Sequence, residues 1–143
     1  MQEVVKYHNC FVCGDENQSG LRARFFVDGD RVVSHLVASD DFEGYRGIYH
    51  GGVISAMLDE VMIKAILAND VYAVTAEMTV RFLKPVMTGS KLTFIGKVVS
   101  SRARMYETEG EVVDDGGVCY ATATGKYLKA RPELEAKLKE SVE

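Results

Sequence analysis

Asp59 is a carboxylate inside a stretch that is otherwise built to be buried. Residues 52–68 read as one helix, in which Val53, Ile54, Ala56, Met57, Leu58, Val61, Met62, Ile63, Ala65, Ile66 and Leu67 cover nearly the whole circumference. A helix that is apolar all round is expected to be buried all round. Only Ser55, Asp59, Glu60 and Lys64 interrupt the pattern. Asp59 lies more than two turns in, beyond the reach of the helix dipole. Burying an unpaired carboxylate costs several kcal/mol, on the order of the stability of a whole small domain. Such a residue is paired with Lys64 or a strand arginine, turned to solvent, or kept for chemistry as a general base or nucleophile. Glu60 is the rival carboxylate, about 100° round the helix. Glu60 and Lys64 stand at i, i+4 in the favourable order, and a helix-surface ion pair accounts for Glu60 without chemistry.

His50-Gly51-Gly52 opens the same helix. Two glycines let a ligand approach the backbone closely, and free N–H groups at a helix start can polarise a carbonyl oxygen. His50 and Asp59 are nine residues apart, about 13 Å along a helix. They share one cleft only if a substrate lies along the helix or a second subunit completes the site. Cys10-x-x-Cys13, with His8 just upstream, suggests a metal. A zinc site of the closed type needs four ligands, and only Cys119, within a strand, and distant histidines remain. The segment is therefore read as ordering the N-terminal loop, with no metal and no cofactor expected.

The elements that must position these groups follow from patterning. With 143 residues, 47% of them hydrophobic and 27% charged, the chain suits a single domain with a real core. Residues 1–20 are polar and irregular. Two β-like runs, 21–27 and 31–38, flank Asp28-Gly29-Asp30, a hairpin signal. After the helix, 74–83 alternates, with Ala76, Met78, Val80 and Phe82 on one face, and stops before Pro85. Runs at 92–99 and 105–113 are separated by residues 100–104, and Asp114-Asp115-Gly116-Gly117 turns into 118–128. Ala121, Ala123 and Gly125 would let a helix approach that last strand closely. Residues 131–143 form a charged, frayed helical tail. Two strands, one apolar helix and four strands give an α+β fold, in which a long curved antiparallel sheet wraps one central α-helix. The edge of such a sheet needs pairing, and a dimer through the sheet would supply it.

The net charge of −4 and the lack of a basic cluster argue against a nucleic-acid partner. No apolar run is long enough to span a membrane, and MQEVVKYHNC lacks a signal-peptide core, so a cytoplasmic, membrane-free protein is expected.

The stretch from Gly47 through His50-Gly51-Gly52 to Asp59-Glu60 resembles the signature of the hotdog-fold thioesterase superfamily, particularly its phenylacetic-acid-pathway and 4-hydroxybenzoyl-CoA thioesterase-like branch. Residues 75–86, TAEMTVRFLKPV, resemble the strand that follows in that family. Cys10-Phe11-Val12-Cys13-Gly14, with Asn17 and Gly20-Leu21, resembles its CxxCGxxNxxGL segment. The likeness covers nearly the whole chain. It implies an acyl-CoA thioesterase acting on a small or medium acyl- or aryl-CoA. By that resemblance Asp59, rather than Glu60, is nucleophile or general base. The Gly51 N–H, with Gly52 as a second donor, polarises the thioester carbonyl, while His50 positions substrate or loop and Asn17 helps hold water. Ile63 stands where relatives carry a hydroxyl or small residue. Lys84, Arg102 and Arg104 are the implied coenzyme A contacts, and a homodimer or homotetramer the implied assembly. A non-catalytic acyl-CoA-binding module would need no buried carboxylate. The hydratases of this fold resemble a helix start with Pro-Gly in place of Gly-Gly.

Overall fold

The computed structural model describes residues 1–142, so Glu143, the end of the expected tail, lies outside the described residues. Six strands form one antiparallel sheet: β1 (Phe26–Asp28), β2 (Arg31–Val37), β3 (Ala73–Phe82), β4 (Lys91–Arg102), β5 (Met105–Asp114) and β6 (Cys119–Lys129). Their order across the sheet is β1-β2-β4-β5-β6-β3. The helix α1 (Gly51–Leu67) packs against one face, and α2 (Pro132–Lys139) follows β6. This is the hotdog arrangement.

Alternation along the strands aims Leu92, Phe94, Val112, Ala121, Ala123 and Tyr127 at the helix, where all are buried. What lets α1 sit so close is a row of small residues across the sheet. Gly96 pairs with Gly110, and Gly110 with Ala123. A Cβ at Gly96 would lie 2.5 Å from the Val61 carbonyl oxygen, and one at Gly110 3.1 Å from Met62 Cγ. The closest approach is therefore on β4, not on β6 as the Ala121-Ala123-Gly125 pattern suggested.

Four further expectations are corrected. The first strand is only Phe26–Asp28, because residues 21–25 are tied to the N-terminal segment instead: Leu21 N–H donates to Phe11 O and Ala23 N–H to Val12 O. Residues 100–102 continue β4, and the link to β5 shrinks to Ala103-Arg104, with Ala103 at a φ of 56°. The N-terminal segment joins the core, with Val4, Val12 and Cys13 all buried. The tail is docked rather than frayed: His8 N–H donates to Ser141 O, and Tyr7 bridges Val142.

α1 is also not covered all round. Ser55, Ala56, Asp59 and Ile63 are only partly buried and Gly52 is exposed, a stripe at helical spacing that the single chain leaves open. On the far side of the sheet β3 forms one edge, and Thr75, Ala76, Glu77, Thr79, Arg81 and Phe82 on it are exposed.

Candidate active site

Asp59 is held in place by two hydroxyls that share one oxygen. Its Oδ1 accepts from Tyr127 Oη at 2.8 Å and from Thr75 Oγ1 at 3.0 Å, and Tyr127 Oη also lies 3.2 Å from the Asp59 carbonyl. No hydrogen bond among the described residues engages Oδ2, so one carboxylate oxygen is fixed while the other is open. Thr75 and Tyr127 are cross-strand partners on β3 and β6. Tyr127 follows Ala121, Ala123 and Gly125 in the alternation toward the helix. Its ring lies back over Gly125, where a Cβ would come within 2.6 Å of Cε2. The small residue lets the phenol reach the carboxylate. Burial, reinforced by the Asp59 charge, pushes the Tyr127 phenol well above its ordinary range, so it stays a donor.

The open side of Asp59 faces a cavity of about 510 Å³, lined by Tyr7, His8, Asn9 and Cys10 from the N-terminal segment, by Asp59, Glu60 and Ile63 of α1, by Ala73, and by the end of α2. Another concavity, of about 540 Å³, lies on the sheet face away from α1. Its walls carry Arg31, Arg81, Lys97, Glu109 and Glu111 and none of the candidate catalytic groups.

Glu60 is not on the helix surface as its spacing suggested. Its pair with Lys64 exists, at 3.6 Å, but the Lys64 side chain is fully buried and that of Glu60 is 12% exposed. Lys64 Nζ also bonds the Val5 carbonyl and lies 4.3 Å from the centre of the Tyr7 ring. Burial raises the Glu60 carboxyl to about 7, with the Cys10 charge adding and Lys64 opposing. Each of its oxygens is 3.9 Å from a cysteine sulfur, Oε1 from Cys10 and Oε2 from Cys13. A hydrogen bond from the Cys13 side chain holds the Cys10 thiol below the ordinary thiol range, and the Cys13 thiol is pushed up by that same contact and by burial.

At the helix start, His50 is the N-cap: its Nδ1 accepts from the Gly52 N–H at 2.8 Å. That places the ring proton on Nε2 and leaves Gly52 with no free donor, contrary to the expectation of two. No hydrogen bond among the described residues uses the Gly51 N–H. Gly51 faces the Phe82 ring, with an added Cβ 3.5 Å from Cε1. Neither His50 nor Gly51 lines the Asp59 cavity, so one chain does not bring them together.

Asn17 holds its own loop: Nδ2 donates to Asn9 O at 3.2 Å and Oδ1 accepts from Ser19 N–H at 3.0 Å. It is not among the cavity's lining residues. Arg104 donates to Lys129 O through Nε and Nη2, at 3.2 and 2.9 Å, while Arg102 and Lys84 are exposed. The registers Phe82↔Ala121, Ala73↔Lys129 and Met105↔Leu128 put Lys84 at one end of the strands and Arg102 and Arg104 at the other. Ten residues of strand separate those ends by about 33 Å. The three cations do not form one cluster within a chain, which their separate positions in sequence could not reveal. Thr75 and Tyr127 were missed because hydroxyls 16 and 68 residues from Asp59 carry no local signal.

Residues 46–121, just over half of the chain, match the model of the thioesterase superfamily. The chain belongs to that superfamily. It is 30% identical over 113 residues to a Saccharolobus solfataricus protein named as a suspected esterase, covering 78% of this chain and 80% of the relative. Its fold is similar to that of a thioesterase superfamily protein of known crystal structure, with a TM-score of 0.80 at 24% identity, covering 85% of this chain and 63% of that one. A hypothetical thioesterase of Streptococcus pneumoniae, solved with coenzyme A, superimposes at a TM-score of 0.70 with 18% identity, covering 73% of this chain and 85% of that one.

Proposed function

We propose that this protein hydrolyses a small or medium acyl- or aryl-CoA thioester to the free acid and coenzyme A. The observation that carries the reading is the state of Asp59: one oxygen fixed by Tyr127 and Thr75, the other open to a cavity. A carboxylate so oriented can take the proton of a water as that water attacks the thioester carbon, or attack the carbon itself. The Gly51 N–H, at the positive end of α1, is a donor for the oxyanion that develops. Gly52 serves indirectly, since its N–H holds the His50 ring and so fixes the turn that presents Gly51.

Gly51 and Asp59 lie about 12 Å apart along α1. We therefore place the reaction between two subunits, with Gly51 of one facing Asp59 of the other, in a homodimer or homotetramer built through the sheet. The open stripe Ser55-Ala56-Asp59-Ile63 and the unpaired β3 edge support that assembly. It would also let Lys84 of one chain and Arg102 of another approach a single coenzyme A, as candidate phosphate contacts. Coenzyme A bound to the Streptococcus pneumoniae relative supports the substrate class. No helix among the described residues is long and apolar enough to cross a membrane.

The test is Asp59→Asn, which keeps the size and an oxygen for Tyr127 and Thr75. Turnover of an acyl-CoA panel should fall at least about 100-fold with the fold retained. Full activity in that variant would remove Asp59 from the mechanism. Tight acyl-CoA binding by the wild type with no turnover would mean a binding module.

A further inference from the structure

We propose that Cys10, Cys13 and Glu60 hold a zinc ion in the wall of the Asp59 cavity, tying the N-terminal segment to α1. Their three ligand atoms all lie within 4.8 Å of one another. Bond lengths of about 2.3 Å to sulfur and 2.0–2.2 Å to oxygen put the edges of a tetrahedral site at about 3.6 Å between sulfur and oxygen and about 3.8 Å between sulfurs. Each cysteine sulfur is already 3.9 Å from a Glu60 oxygen. Side-chain movement of up to about 1 Å would close the set on one ion.

The loop is shaped around the first sulfur. Cys13 N–H donates to Cys10 Sγ at 3.4 Å, and Gly14 N–H closes the turn on Cys10 O at 2.9 Å. A Cβ at Gly14 would lie 2.5 Å from Cys10 N and 2.6 Å from His8 O, so only glycine permits so tight a wrap. A backbone donor aimed at a thiolate is the outer-shell contact that a metal-bound sulfur needs.

With zinc bound, two thiolates, the Glu60 carboxylate, the buried Lys64 ammonium and the divalent cation sum to zero, so the occupied site buries no net charge. Sulfur ligands select zinc over calcium or magnesium. Cys13 is fully buried, while Cys10 and Glu60 line the cavity, so the fourth position opens toward it and takes a water. His8 is not needed as a ligand: its Nδ1 is 2.6 Å from Glu16. Nor is Cys119, whose sulfur contacts Ala121 O on β6. Glu60, 47 residues from Cys13, would supply a third ligand that the sequence did not suggest, and with a water in the fourth position the set is open rather than the closed one considered from sequence.

The experiment uses the full chain, untagged and purified without chelator. Elemental analysis should find close to one zinc per chain. After removal of metal by a strong chelator under reducing conditions, Co²⁺ alone should produce a thiolate-to-cobalt charge-transfer band and the visible absorption of a four-coordinate site, saturating at one equivalent and lost on adding Zn²⁺. Cys10→Ser and Cys13→Ser should each lose that spectrum. Glu60→Gln should weaken Co²⁺ affinity while keeping the charge-transfer band, and Cys119→Ser should behave as wild type. The wild-type cobalt titration stands even if a variant fails to fold. A reduced, folded wild-type chain with no charge-transfer band at saturating Co²⁺ overturns the proposal. So does zinc that persists in the Cys10→Ser/Cys13→Ser double variant, or a metal-free chain isolated with Cys10 and Cys13 joined as a disulfide that takes up no Co²⁺ after reduction.

Discussion

Replacing Tyr127 by Phe removes a single oxygen and tests whether Asp59 works because it is held. The ring would stay over Gly125, since the two side chains have the same shape and the phenol is fully buried. What disappears is the donor 2.8 Å from Asp59 Oδ1, leaving Thr75 at 3.0 Å as the remaining anchor. A hydrogen bond to a charged acceptor contributes about 1.5–3 kcal/mol. If it serves orientation in the transition state, its loss appears in kcat, and about 1.4 kcal/mol is tenfold. The expected fall is therefore about 10- to 150-fold in kcat, with KM little changed. Coenzyme A release can be followed with a thiol reagent, and in parallel by loss of thioester absorbance, because Cys10, Cys13 and Cys119 form no disulfide and any that react add background. The fold should be checked by near-ultraviolet circular dichroism. A Tyr127→Phe enzyme with wild-type kcat, alongside an inactive Asp59→Asn enzyme, would refute the claim that the phenol positions the carboxylate. A rise in KM with kcat unchanged would move Tyr127 to substrate binding.

Two further outcomes concern the packing that places Asp59. Gly96→Ala sets a methyl 2.5 Å from the Val61 carbonyl, a backbone atom that cannot turn aside, and should cost about 1–3 kcal/mol in urea denaturation with the m-value unchanged; a neutral result would mean that α1 is free to lift off β4. In metal-free protein, Lys64→Met leaves the buried Glu60 without its cation and should cost about 3–5 kcal/mol. Adding Glu60→Gln should recover part of that loss, and additivity of the two would show that they do not interact.

Much of the fold was legible because it depends on local periodicity. The extent of α1, the hairpin at Asp28-Gly29-Asp30 and the turn at residues 114–117 came from patterning and turn chemistry, and the structure keeps them, with both ends of the helix one residue earlier than expected. Gly29 and Gly117 both take positive φ there, and Asp114 Oδ1 accepts from the Gly116 and Val118 N–H groups. The tight link at Ala103-Arg104 was hidden, since a non-glycine residue at positive φ leaves no compositional mark. The N-terminal segment was misjudged for a similar reason. Its cysteines and valines are too sparse to show a period, yet Val4, Val12 and Cys13 are buried because Lys64 and residues 21–23 hold the segment against the core.

The sequence by itself determined that a carboxylate sits in the middle of an apolar helix with a glycine-rich, donor-bearing start. That follows from 3.6-residue periodicity and the special freedom of glycine. Only the tertiary structure decided how the two neighbouring carboxylates differ. About 100° of helix rotation turns Asp59 toward two hydroxyls and an open cavity, and turns Glu60 toward a buried lysine and two thiols. Adjacent residues of one type thus acquire separate chemistries from strands and loops up to 68 residues distant. Contacts at that range depend on sheet register and chain docking, which no local pattern encodes.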